Sequence, residues 1–240
     1  MRGPDWHHWK DAMDEELSAL KAHGTWKLAD LPAGANLVGC HWTFIIKKDA
    51  AGNIVCYKVH LIAQGFSQVP GVNFFNTYAP VAKMASIQAT LAYAARHDLE
   101  IHQVDIKNAY LNADFNDGEV IYMKQPPSVT LTEDKKKVLQ LMCPLYGLRQ
   151  SVRHWYHCLF DVLCLQLNMA HCEVDQAVFY VWENGVFMAI VAHVDDLTIV
   201  TSSVELMVKV KDELWKEFKI TDMGEIHWIL GFEVKWDREC

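Results

Sequence analysis

The chain has 240 residues, of which 51% are hydrophobic, so it can bury one large core or two smaller ones. Its formal net charge of −8 at pH 7 argues against broad, non-specific affinity for nucleic acid. No apolar run is long enough to span a bilayer, no signal-peptide pattern opens the chain, and the seven cysteines lack a CxxC pair. These features argue against a membrane protein and a disulfide scaffold, and they predict an intracellular protein with reduced thiols.

Helical and strand patterns alternate along the chain. In order, the predicted elements are a helix from Asp5 to about Gly24, a hairpin of strands 40–46 and 54–62 with a turn at 51–53, a helix around 84–95, a strand at 101–106, a helix at about 148–167, a hairpin of strands 177–182 and 186–191, a helix opened by a capping box of Ser202 and Glu205, and a strand at 226–234. From 101 onward this order predicts an α+β, ferredoxin-like layout.

Two adjacent carboxylates, Asp195 and Asp196, lie between the apolar runs 186–192 and 197–200, which predict a β-hairpin with both at its tip. A third, Asp105, follows the apolar stretch that begins at residue 101. Like charges beside a core are costly unless a cation neutralises them. If the strands are neighbours, three carboxylates converge in a way that suits Mg²⁺ or Mn²⁺ and phosphoryl transfer. The alternative is that Asp195 and Asp196 are ordinary turn residues.

Seven blocks in fixed order resemble the reverse transcriptase of copia-type LTR retrotransposons, and together they cover nearly the whole chain. The blocks are WKL at 26–28 with LP at 31–32, QGFSQ at 64–68, YAPV at 78–81, VDIKNAYL at 104–111, VIYM at 120–123 with QPP at 125–127, LYGLRQS at 145–151, and LGFEV at 230–234. The resemblance implies a polymerase right-hand fold with fingers and a ferredoxin-like palm, and no thumb. It divides the chain into an N-terminal helix and lead-in (1–35), a fingers-like region (36–100) and a palm (101–240), with 119–150 connecting fingers and palm.

The resemblance also implies a site. Asp105, Asp195 and Asp196 match the polymerase carboxylates that hold two Mg²⁺ ions (Mn²⁺ is an alternative), with Asp105 and Asp195 as ligands of both and Asp196 supporting. Tyr110, beside Ala109, matches the aromatic ring that rejects a 2′-hydroxyl on the incoming nucleotide. An alternative for Tyr110 is a core aromatic residue.

Two further groups are implied to contact the nucleotide or the primer–template. Tyr146 and Gly147 match the segment beneath the incoming nucleotide, and Trp228, Leu230 and Gly231 resemble the hairpin that grips the primer terminus. The lysines of the fingers-like hairpin are expected either to neutralise triphosphate or template charge or to form a solvated face; they are Lys47, Lys48 and Lys58.

Several positions depart from the family pattern. His193 replaces the tyrosine of the usual Tyr-Val-Asp-Asp sequence, and Val152 replaces a proline. His41, Ile45 and His60 stand where the fingers normally carry basic residues, which should weaken triphosphate binding. A His and Cys cluster (His154, His157, Cys158, His171 and Cys172) lacks a familiar zinc-ligand spacing, so zinc is not expected.

The expected function is RNA-directed DNA polymerisation, in which a primer on an RNA or DNA template is extended with deoxynucleoside triphosphates. The expected partners include the rest of a Pol polyprotein, with ribonuclease H and integrase, and the location is the cytoplasm, in a virus-like particle, or the nucleus. Two alternatives remain: a catalytically inactive remnant that keeps the fold and binds nucleic acid or a partner, and an RNA-binding or capsid-associated module retained by the host.

Overall fold

The computed structural model describes residues 5–48, 52–116, 118–129, 131–132, 134 and 136–237. Its α-helices are α1 (Trp6–Ala22), α2 (Met84–His97), α3 (Ser151–Phe160) and α4 (Val204–Glu217). Helix α3 continues as a π-helical turn over Asp161–Gln166, and 3₁₀ turns cover Gly65–Ser67 and Ala109–Asn112. Among the described helices, none has the length and apolar character needed to cross a membrane.

Within the described residues the chain forms short and medium strands. They are β1 (Trp26–Ala29), β2 (Leu37–Val38), β3 (Cys40–Lys48), β4 (Ile54–Ala63), β5 (Glu100–Ile106), β6 (Tyr122–Met123), β7 (Val138–Leu141), β8 (Ala170–His171), β9 (Val178–Glu183), β10 (Val186–His193), β11 (Asp196–Thr201), β12 (Ile220–Glu225), β13 (Trp228–Ile229) and β14 (Phe232–Glu233). The mixture of helices and mainly antiparallel sheets confirms the predicted α+β class.

The chain divides into two compact units that interleave along the sequence. The first contains the described residues up to Thr77 together with Ala113–His154, and the second contains Tyr78–Asn112 and the residues from Trp155 onward. The assignment of 36–100 to fingers and of 101–240 to palm stays a prediction.

The first unit holds a four-stranded sheet in the order β1-β7-β6-β2 and the separate hairpin β3–β4. Helix α1 packs against this hairpin because its apolar face meets β4, where Ala12 and Met13 form a buried cluster with Val59. The indole of Trp9 contacts Tyr57 edge to face, with ring centroids 4.7 Å apart. The hairpin is as predicted, although Ala51 of its turn lies outside the described residues.

The second unit is built on a six-stranded antiparallel sheet in the order β12-β5-β11-β10-β9-β8. Helices cover both of its faces. Ile101 of β5 clusters with Ala94 of α2, whereas the next residue, His102, lies on the other face and contacts Lys211 of α4 at 2.6 Å. Strand β5 is therefore covered by helices on both faces, and it lies inside the sheet between β12 and β11. These neighbours fix the position of Asp105 near its end.

Two local predictions were wrong, and one predicted helix begins later than expected. Helix α4 is capped by Ser203, not Ser202: the Ser203 hydroxyl accepts a hydrogen bond from the Leu206 N–H at 3.2 Å, while Ser202 Oγ accepts from Phe187 N–H. The predicted strand at 226–234 is instead the hairpin β13–β14, because two residues of positive φ at 230 and 231 reverse the chain. Helix α3 begins at Ser151 and loses α-helical pairing after Phe160.

Candidate active site

The tip of the β10–β11 hairpin carries the paired aspartates. The two strands pair up to His193 opposite Asp196, so Val194 and Asp195 alone form the connection. The apolar residues on either side become buried strands at the centre of the sheet, with Leu197 fully buried. This confirms the predicted hairpin, and it places both carboxylates where the sheet meets solvent.

The third carboxylate lies across from them on the neighbouring strand. Asp105 of β5 is directly opposite Asp196 of β11. The Ile106 N–H donates to the Asp195 carbonyl at 2.8 Å, which makes the Asp105–Asp196 pair a non-hydrogen-bonded one. Side chains of such a pair share a face of the sheet and approach closely, with Cβ atoms about 5 Å apart. The register thus brings the ends of Asp105 and Asp196 together, with Asp195 one residue away.

The donor set fits a hard divalent cation. Asp105 and Asp195 are half-buried, Asp196 is exposed, and all three offer carboxylate oxygens. Within the described residues, no three His, Cys, Asp or Glu side chains already form a closed ligand group. Mg²⁺ rarely needs one, because it binds through one or two carboxylates and completes its shell with water and substrate phosphates. The three carboxylates therefore suit a cation that takes its remaining ligands from water or from a bound molecule.

Tyr110 lies in the 3₁₀ turn that follows β5, and it is 8% exposed. Burial raises the pKa of its hydroxyl to about 12, and the negative charge of Asp195 adds to the rise. Ala109, in the same turn, is fully buried. The low exposure also agrees with a core aromatic, so the role of Tyr110 as a sugar filter stays a prediction.

The β13–β14 hairpin contributes to a cavity beside the carboxylates. Leu230 and Gly231 form its two-residue turn, with φ of 48° and 84°. A cavity of about 210 Å³ is lined by Leu230 and Trp228, and also by Asp196 and His193. Among the described residues, His193 Nδ1 is buried and has no hydrogen-bond partner. The structure thus brings Leu230 and Trp228 to the same cavity as Asp196.

Tyr146 and Gly147 belong to the first unit, where they form a loop against β4. The Ala63 N–H donates to the Tyr146 carbonyl at 2.8 Å, and the Gly65 N–H donates to the Gly147 carbonyl at 3.2 Å. Gly147 has a φ of 89°, and a Cβ at this position would overlap the carbonyl of Ala63. Glycine is therefore required here by the close approach of two backbones.

Two of the three lysines of the β3–β4 hairpin lie on the same face of it. Register places Lys58 opposite Ile45 and Lys47 opposite Cys56, so Lys47 and Lys58 share one face of the hairpin. Lys48 follows a register shift. By the same alternation, the face of Lys58 carries all three positions at which basic residues are replaced, namely His41, Ile45 and His60. Two lysines thus supply the permanent positive charge that this face presents.

Two other features do not mark the site. A cavity of about 610 Å³ lies elsewhere in the second unit, against Met188 of β10 and Val210 of α4, and none of the three aspartates lines it. In the first unit His154 Nε2 lies 2.6 Å from the buried Glu119 carboxylate, in contact but without hydrogen-bond geometry. Burial lowers the pKa of His154. The expectation that the His and Cys cluster does not bind zinc stays a prediction.

Two functional features escaped sequence reasoning. Strand β12 pairs with β5 on the side away from β11, with Thr221 opposite Asp105, but its short sequence ITDMGE lacks a clear strand pattern. Trp155 falls within the helix predicted at about 148–167. Its indole N–H reaches the aspartate turn, a contact between distant parts of the sequence that no local pattern could reveal.

Comparisons with known proteins identify the family of the chain. A family model described as reverse transcriptase (RNA-dependent DNA polymerase) matches residues 23–239. The chain is 36% identical over 236 residues to the retrovirus-related Pol polyprotein from transposon TNT 1-94 of Nicotiana tabacum, an alignment that covers 98% of this chain and 18% of that protein. It is 32% identical over 228 residues to the corresponding polyprotein from transposon RE1 of Arabidopsis thaliana, covering 95% of this chain and 15% of that protein.

Among solved structures, a foamy viral protease–reverse transcriptase in complex with double-stranded DNA aligns with 88% of this chain and 30% of its own, at 12% identity and a TM-score of 0.45. The chain spans less than a fifth of the length of these two polyproteins. The family model nevertheless matches almost all of it, and the relatives cover the same stretch. The chain therefore belongs to the reverse transcriptase family, in the branch of the copia-type transposon Pol polyproteins.

Proposed function

We propose that the chain is the nucleotidyl-transfer part of an RNA-directed DNA polymerase, which extends a DNA primer on an RNA or DNA template with deoxynucleoside triphosphates. The observation that carries the proposal is the strand register that sets Asp105 opposite Asp196, with the Asp195 carbonyl held by the Ile106 N–H at 2.8 Å. Three carboxylates at one end of a rigid sheet form an anionic site, and cations bound there neutralise it and can bind a triphosphate at the same time.

In this proposal Asp105 and Asp195 hold two Mg²⁺ ions, with Asp196 supporting them and Mn²⁺ as a substitute. When bound, the ions favour ionisation of the primer 3′-hydroxyl and neutralise charge on the triphosphate and its leaving group. The protein's own contribution is position. Because β5 lies between β12 and β11, Asp105 cannot move away from its neighbours without breaking two ladders of hydrogen bonds.

The other predicted residues take supporting roles in this proposal. Tyr110, next to the buried Ala109 and near Asp195, lies beneath the sugar of the incoming nucleotide and excludes a 2′-hydroxyl. Leu230 and Gly231 shape the hairpin beside Asp196 that holds the primer terminus. In the first unit, Tyr146 and Gly147 contact the nucleotide or template, and Lys58 contributes positive charge toward phosphates.

The proposed partners follow from the same site. The chain binds a primer–template and deoxynucleoside triphosphates, and it works within a Pol polyprotein that also carries ribonuclease H and integrase. The named relatives are Pol polyproteins of which this stretch is 15–18%. The proposed location is intracellular, in the cytoplasm or the nucleus.

Primer extension tests the proposal. The purified 240-residue chain is incubated with a labelled DNA primer on an RNA template, the four deoxynucleotides, and Mg²⁺ or Mn²⁺. We expect extension that Asp105→Asn and Asp195→Asn each reduce by at least about 10³-fold, because a lost ligand removes charge stabilisation in the transition state. Asp212→Asn, an exposed carboxylate on α4, serves as the matched control and should extend normally. Extension that survives Asp105→Asn would refute the metal site, and no extension by any variant would favour the inactive remnant.

A further inference from the structure

A buried indole contacts the aspartate turn from outside the hairpin. The Trp155 Nε1–H of α3 donates a hydrogen bond of 2.7 Å to the carbonyl of Val194. Trp155 is 1% exposed, and its ring packs edge to face against Phe218, with centroids 5.1 Å apart. The indole ring thus packs against Phe218, and its N–H is bonded to the turn.

The turn that it contacts has an unusual backbone. Val194 has a φ of 60°, a left-handed conformation that a β-branched residue rarely adopts. Two-residue hairpin turns with positive φ at the first position usually take glycine there. Such a conformation persists only when its surroundings hold it. Here the carbonyls of both turn residues are bound by groups outside the hairpin, Val194 by Trp155 and Asp195 by Ile106 N–H.

We propose that Trp155 is a positioning residue for the carboxylate site. It acts through the Val194 carbonyl: by fixing the Val194–Asp195 peptide it sets the direction from which the Asp195 and Asp196 side chains approach Asp105. This inference rests on the proposed function, since it assigns to Trp155 the placement of the metal-binding carboxylates. Trp155 itself contacts neither metal nor substrate in this account.

The relevant group on Trp155 is the N–H rather than the ring. An indole has a single hydrogen-bond donor and no acceptor, so replacement by phenylalanine removes that donor and keeps an aromatic ring in the same space. The Val194 carbonyl then loses its partner while the packing on Phe218 is largely retained. The converse change, Phe218→Leu, weakens the packing and keeps the donor. The two variants therefore separate positioning from structural support.

The test measures Mn²⁺ affinity by electron paramagnetic resonance on the full chain, together with hydrogen exchange of the Ile106 amide, which reports on the turn. In Trp155→Phe we expect Mn²⁺ to bind about fivefold more weakly and the Ile106 amide to exchange about fivefold faster, the effect of losing one hydrogen bond. Phe218→Leu should leave the Mn²⁺ affinity and the Ile106 exchange rate within about twofold of the parent values, even if it lowers the urea midpoint as much as Trp155→Phe does. Asp105→Asn is the reference for loss of the metal site itself.

The outcomes separate the two claims. If Trp155→Phe binds Mn²⁺ like the parent, or if Phe218→Leu weakens binding equally, the positioning role is wrong while the site stands. If Asp105→Asn also binds Mn²⁺ like the parent, the proposed function fails.

Should Trp155→Phe not fold, the parent protein supplies the second measurement. Its Trp155 indole N–H resonance should shift on addition of Mg²⁺, and it should not shift in Asp105→Asn. An indole signal that is insensitive to Mg²⁺ in the parent would overturn the inference.

Discussion

Replacing Asp105 by asparagine should stabilise the metal-free protein, although it removes a proposed catalytic group. Asp105 and Asp196 are a directly opposite, non-hydrogen-bonded pair of like charges at the end of β5 and β11. Asparagine keeps the size and shape of the side chain and removes one of the two charges. When no cation is bound, the substitution therefore removes a repulsion from the folded state. The extended, solvated unfolded chain does not have this repulsion, so the folded state gains stability relative to it.

The size of the effect follows from the separation of the charges. The Cβ atoms of such a pair lie about 5 Å apart, and two unit charges at about that separation repel each other by about 0.8 kcal/mol in bulk water, with a larger value where the surroundings are less polar. Asp105 is half-buried and Asp196 is exposed, so we expect a gain of about 1 kcal/mol at low salt. For a chain of this length, that gain corresponds to about 2–4 °C in Tm.

The assay is urea and thermal unfolding at pH 7 with EDTA, at low and high ionic strength, with Asp212→Asn as control. Asp105→Asn should be more stable than the parent at low salt, and the difference should shrink as salt screens the charges. Added Mg²⁺ should stabilise the parent and reverse the order, since a ligand stabilises only the state that binds it. A variant that is less stable than the parent at every salt concentration, with no response of the parent to Mg²⁺, would refute the reasoning.

Three further predictions concern other parts of the chain. Burial, together with the Lys211 ammonium 2.6 Å away, lowers the pKa of His102 below its usual 6.5. As the pH drops from 7.5 to 5.5 the unfolded state therefore binds a proton before the folded state does, and the urea midpoint should fall. His102→Gln should make the midpoint less dependent on pH, and an unchanged dependence would contradict the assignment to His102. In an actively extending protein, Tyr110→Ala should raise ribonucleotide relative to deoxynucleotide incorporation, whereas unchanged discrimination would mean that the ring is only part of the core. Gly147→Ala should lower the free energy of unfolding by about 3 kcal/mol, because the backbone there has a φ of 89° and the new Cβ also overlaps the Ala63 carbonyl. Gly231→Ala is the control: it has a φ of 84° but open space around the Cβ, so it should lower the free energy of unfolding by only about 1 kcal/mol. Equal losses in urea unfolding would exclude the overlap as the cause.

Sequence reasoning located the carboxylates because their signal is local. Two apolar runs around Asp195 and Asp196 predict a hairpin, and the ferredoxin-like order of elements sets the Asp105 strand beside it; the structure has both features. The ordered family blocks named the family, which the comparisons confirm.

The remaining features depend on contacts between distant segments or on competition between neighbours. Ser202 and Ser203 are both able to cap α4, and the choice follows from Ser202 Oγ being used by the Phe187 N–H. Leu230 adopts a φ of 48° that its residue type does not favour, so the hairpin at 228–233 was read as one strand. The Trp155 contact joins residues 39 positions apart, and single-sequence periodicity carries no information about it.

The most direct test of the central claim is the position of the metal. Crystals of the chain grown with primer–template and a non-hydrolysable deoxynucleotide analogue in Mn²⁺ would be measured at a wavelength where manganese scatters anomalously. The account predicts an anomalous peak within coordination distance of the Asp105 carboxylate and of at least one carboxylate of the 195–196 pair, in contact with the triphosphate. A fully bound triphosphate with manganese elsewhere, and with Asp105 turned away from it, would contradict the account.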